Sequence, residues 1–102
     1  MSTVERLKRL EGLVQAFGSD RLVDATINKL VKIKKQELIK RLSSIQYELK
    51  RLEQAYHINS DEFKDKYNAG LLGDDVDYIK WASLIDMEQR LRKQMRYLDG
   101  DA

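Results

Sequence analysis

Leu38, Leu42, Ile45, Leu49, Leu52 and Tyr56 recur at alternating spacings of four and three. That rhythm sets them on one narrow stripe of an α-helix, the seam that another helix covers. Upstream, Leu22, Val23, Ile27, Leu30, Val31 and Ile33 form a broader apolar face, and projecting the heptad backwards puts Lys35 and Asn28 at seam positions. The pattern therefore slips near Lys34. It predicts one long central helix over about 20–57, on the order of 55 Å at 1.5 Å per residue, with two packing zones. The wide zone is expected to face an N-terminal helix, and the narrow one a C-terminal helix or a second copy of the chain. For two such seams, antiparallel pairing centred near Ser43 and Ser44 brings Arg41 toward Glu48 and Lys32 toward Glu53.

The flanking segments carry consistent start and stop signals. Val4, Leu7, Leu10, Val14 and Phe17 line one side of a first helix, and Ser2 with Glu5 has capping-box spacing. Gly12 weakens this helix by roughly 1 kcal/mol relative to alanine. Gly18 provides a stop, and Ser19 or Asp20 suits the cap of the central helix. After His57, Asn59 and Glu62 have capping-box spacing, while Ile58 and Phe63 have the spacing of a hydrophobic staple. That short helix should end near Asn68, before the turn chemistry of Ala69-Gly70 and Gly73-Asp74-Asp75. A last helix begins around 75–77 with Trp81, Leu84, Ile85, Leu91, Met95 and Leu98 on its apolar face. The expected fold is all-α, a helical hairpin or bundle within a single domain over 1–102. Its parts are 1–57 and 58–98, and the chain is expected to be oligomeric.

Composition sharpens this picture. An apolar fraction of 42% is low for a self-contained globule of 102 residues, which favours a core shared with a partner. Lys and Arg number 19 against 17 Asp and Glu, so the net charge of +2 is no signature of nucleic-acid binding. The distribution says more: 58–89 holds three basic and eight acidic residues, against twelve and seven over 1–57. The acidic middle is a candidate surface for a basic partner. The absence of cysteine excludes disulfides, thiolate metal sites and cysteine nucleophiles. Without an apolar signal core or a bilayer-length apolar run, a cytosolic location and no membrane contact are expected.

No residue set marks a reaction. His57, the single histidine, sits at a helix end where imidazole can meet terminal carbonyls, and Glu53 alone does not complete a metal site. Asp74, Asp75 and Asp77 lack the ligand alternation and closing glutamate of a calcium loop, and fit a helix N-terminal cap better. Lys29, Lys32, Lys34, Lys35, Lys40 and Arg41 spread over several helical faces, as a solvated surface does. No catalytic, cofactor or metal-binding residues are expected.

The segment from Ala55 to Leu84 resembles the C-terminal pattern of a family of small, mostly helical prokaryotic proteins, often encoded as the antitoxin-like partner of a small toxin. Tyr56, Phe63, Tyr67, Gly70, Leu72, Gly73, Asp74, Asp75, Trp81 and Ala82 follow that pattern's order. His57 departs from it, standing where glycine is usual. The resemblance implies a noncatalytic protein that binds and neutralises a cognate toxin, with Asp61, Phe63, Asp65, Tyr67, Asp74, Asp75 and Trp81 as the expected partner surface. The alternative is a homo-oligomeric coiled-coil structural or adaptor protein that uses the seam for self-association.

Overall fold

The computed structural model describes residues 1–100. Among them the chain forms four helices and no strand: α1 (Thr3–Phe17), α2 (Arg21–Tyr56), α3 (Ser60–Asn68) and α4 (Val76–Asp99). The all-α expectation holds, and the helix ends fall where the caps place them. Ser2 Oγ accepts from the Glu5 amide at 3.1 Å, Asp20 Oδ1 from Val23 at 2.8 Å, Asn59 Oδ1 from Glu62 at 2.8 Å, and Asp75 Oδ1 from Asp77 at 2.8 Å. Each bond satisfies one of the amides that the first helical turn leaves without an intrahelical acceptor.

The described residues fall into two compact units, Met1–Ile33 and a second that begins at Lys34. The division coincides with the point where the apolar rhythm of α2 slips.

In the second unit the later part of α2 packs with α3 and α4. Contacts near both ends show that α4 runs antiparallel to α2: Tyr56 Oη donates to Asp77 at 2.6 Å, and Lys35 Nζ pairs with Asp99 at 2.7 Å. Leu38, Ile45 and Leu49 from α2 share a core with Phe63 from α3 and with Trp81, Leu84, Ile85 and Leu91 from α4. Leu42, Leu52 and Tyr56 are half-buried against it. The narrow seam is thus covered by the chain's own helices. Of the two covers expected for it, the C-terminal helix is the one the chain supplies, with the apolar stripe of α4 lying against the seam.

The reversal between α2 and α3 depends on His57, the only described non-glycine residue with positive φ, at +57°. That left-handed conformation ends helices and is commonly given to glycine. At the far end of α3, the Leu71 amide bonds to Lys66 O at 3.0 Å and the Gly70 amide to Tyr67 O at 3.1 Å. This is the paired Schellman arrangement, and the +73° φ of Gly70 permits it.

The centre of the unit is a stack of aromatic rings. Phe63 and Trp81 are both 0% exposed, with centroids 4.1 Å apart and planes 3° from parallel. Tyr56 and Tyr67 lean on this pair at 5.8 Å from Trp81 and 5.4 Å from Phe63. Replacing Trp81 with alanine should lower unfolding free energy by ~3–5 kcal/mol, through lost burial and the cavity left behind. Urea denaturation followed by circular dichroism measures it, and a loss below about 1 kcal/mol would contradict this packing.

Candidate functional site

The expected partner surface separates into two groups. Asp61, Asp65, Asp74 and Asp75 are exposed, and Asp75 also caps α4. Phe63 and Trp81 lie at the bottom of the core, and Tyr67 is half-buried and stacked on Phe63. The two aromatic residues with no exposed surface are removed from the candidate interface, since each ring spends its whole area on its neighbours. What remains is an acidic edge on α3 and the following turn.

Beside that edge, the hydroxyl of Tyr56 donates to Asp77 Oδ2 at 2.6 Å. This bond, the partial burial of the ring and the nearby charge of Asp77 together favour the neutral phenol, pushing its pKa from 10.0 up to about 12. Asp77 is therefore committed within the chain. Glu53 is also engaged: its Oε2 accepts from the Ser60 amide at 2.6 Å. Among the described residues, no group of three or more His, Asp or Glu side chains converges as metal ligands.

A groove of about 490 Å³ between α2 and α4 has Ile45, Met87 and Leu91 along its floor. Cations rim it, but Arg41 already pairs with Glu37 at 2.8 Å and Arg90 with Asp86 at 3.1 Å. Its charge is largely compensated from within the chain.

The unit Met1–Ile33 presents the opposite situation. None of its residues is buried, and only Val14, Val23 and Val31 are even half-buried. The expectation that the wide face of α2 forms a packed zone with the first helix is corrected here: that face carries no core. Phe17 is 85% exposed, Leu22 75% and Leu30 60%. Leu13, outside the expected set on α1, is 54% exposed. Steps of about 100° per residue place it next to Leu10 and Phe17, so the period contained the signal. The apolar arc covers roughly half the circumference of α1, wider than a lone surface helix needs.

This uncovered face is the candidate functional site. Its residues are large aliphatic and aromatic side chains with much of their surface exposed, which makes it a candidate docking surface. Among the described residues, no helix is long and apolar enough to cross a membrane. Comparisons with protein-family models, curated proteins and solved structures found no match.

The Tyr56–Asp77 bond generates a pH prediction. Because the phenol pKa is raised in the folded chain, its contribution to stability is complete below pH 10 and disappears as pH rises toward about 12. In an ultraviolet titration of phenolate absorbance, one tyrosine should ionise near pH 12 and vanish from the curve in Tyr56→Phe. A Tyr56→Phe curve that keeps the late step would refute the assignment.

Proposed function

We propose that this chain is a noncatalytic protein-binding module that docks a protein partner on the apolar face of Thr3–Ile33. The observation that carries the reading is the contrast between its two units. Beyond Lys34 the apolar stripes of α2 and α4 cover one another, whereas large apolar side chains before Ile33 cover nothing in their own unit. Sequestering side chains such as Phe17, Leu22 and Leu30 from water contributes about 1.5–3 kcal/mol each on full burial, and a partner is the means of doing so.

The sequence resemblance adds a more specific form of this reading, an antitoxin-like protein whose partner is a cognate toxin. The exposed carboxylates of Asp61, Asp65 and Asp74 support it as a steering surface for a basic protein. In this reading the acidic edge speeds encounter, and apolar contact supplies lasting affinity.

Two experiments test these readings with the full chain and the protein encoded beside it. The double variant L10S/F17S should weaken binding by about thirtyfold or more, the loss expected of buried interface anchors. Trp81 fluorescence should stay native in this variant, and undiminished binding together with unchanged self-association would reject the apolar docking face. Separately, charge reversal at Asp61, Asp65 and Asp74 should reduce the association rate and its dependence on salt while changing dissociation little. Stopped-flow kinetics reads both, and an unaltered association rate would remove the acidic edge from the mechanism.

A further inference from the structure

Resting on the reading of Thr3–Ile33 as a docking face, we infer that its occupant is a second copy of this chain, with the two α1 helices paired side by side and parallel. The first support is the register of α1. Leu7 and Val14 fall at a positions, and Thr3, Leu10 and Phe17 at d positions. This is a two-heptad seam, continuous over the helix and absent from the core of its own unit.

Charge then selects both the partner and the orientation. In this register the flanking positions hold Arg6 at g and Glu11 at e. Parallel copies bring each g residue to the e residue five positions further along the mate, so Arg6 of each copy meets Glu11 of the other, twice by symmetry. Antiparallel copies place g beside g and e beside e, leaving Arg6 near arginine or leucine and Glu11 near glutamate or valine. Both side chains are available for the parallel contact. Arg6 has no salt bridge among the described residues, and Glu11 receives only a 3.4 Å hydrogen bond from Gln15 Nε2.

On the seam itself Leu7 is 55% and Phe17 85% exposed, so pairing of two α1 helices takes both side chains out of water. Two copies of a coreless unit so joined complete one shared core, the usual remedy where a short helical segment cannot bury its own apolar face.

The test uses the intact chain in sedimentation velocity and light scattering at tens of micromolar, with far-UV helicity and Trp81 fluorescence as folding controls. The unmodified chain should be a reversible dimer. R6E and E11R, both exposed-site substitutions, should each weaken dimerisation roughly tenfold through loss and reversal of two ion pairs. An equimolar mixture of R6E and E11R chains should regain it, because parallel pairing then matches opposite charges again. A single spin label on T3C, introduced into a chain without native cysteine, should lie close to its mate. In an antiparallel pair the two labels stand roughly 20 Å apart along the helix axis.

Close labels with restoration in the mixture support the inference. Widely spaced labels, or a dimer indifferent to both charge variants, overturn the parallel pairing. A strict monomer that still binds the neighbouring gene product, and loses that binding in L10S/F17S, overturns the second copy as occupant while leaving the docking face intact. A monomer whose binding is also untouched by L10S/F17S overturns both.

Discussion

Trp81 has one polar atom, and a ring with no exposed surface obliges that atom to find its partner inside the protein. The indole Nε1 donates to Ser60 Oγ at 3.0 Å. Without that acceptor, burial of the ring would carry an uncompensated cost of about 1–3 kcal/mol. Ser60 can serve only because the chain has turned sharply just before it. His57 adopts the left-handed conformation, Asn59 caps α3, and Glu53 takes the Ser60 amide proton from the last turn of α2. One donor on α4 is thereby tied to the start of α3, and α3 to the end of α2. Phe63, one turn into α3, then meets the indole face to face. The rest of the second unit is apolar packing arranged around this fixed corner.

Much of this architecture was legible in the sequence because it depends on short-range rules. The seam from Leu38 to Tyr56, the caps at Ser2, Asp20, Asn59 and Asp75, and the stop at Ala69-Gly70 require only local spacing and the chemistry of helix ends. Burial was less legible. Phe63 and Trp81 could be read as core or as interface anchors, because an aromatic residue on an amphipathic stripe has the same periodicity whether its cover is intramolecular or supplied by another protein. What decides between them is whether Ser60 stands where the indole N–H points, a relation between residues 21 apart in sequence that no periodicity encodes. The same ambiguity, resolved the other way, governs Val4 to Phe17. Their spacing promised a packed face, and the structure leaves that face uncovered.

The two units therefore solve the problem of an apolar helix face differently. Beyond Lys34 the solution is closed, with α2, α3 and α4 supplying both sides of one core. Before Ile33 only one side is present. A closed unit has stability that depends little on protein concentration, whereas an open one draws on mass action with whatever covers it. On the proposed reading, the protein retains a folded scaffold under dilution while its association surface responds to the supply of partner.

The indole is also the chain's only one, and its location makes it a selective optical reporter. Excited at the red edge, where tyrosine hardly absorbs, it senses the polarity and hydrogen bonding around Ser60. Far-UV ellipticity weighs every helical residue, those of Met1–Ile33 included. Melting of the coreless segment alone would therefore dim the ellipticity while the emission maximum stayed blue, so a lag between the two signals would time the loosening of one unit against the other without any label.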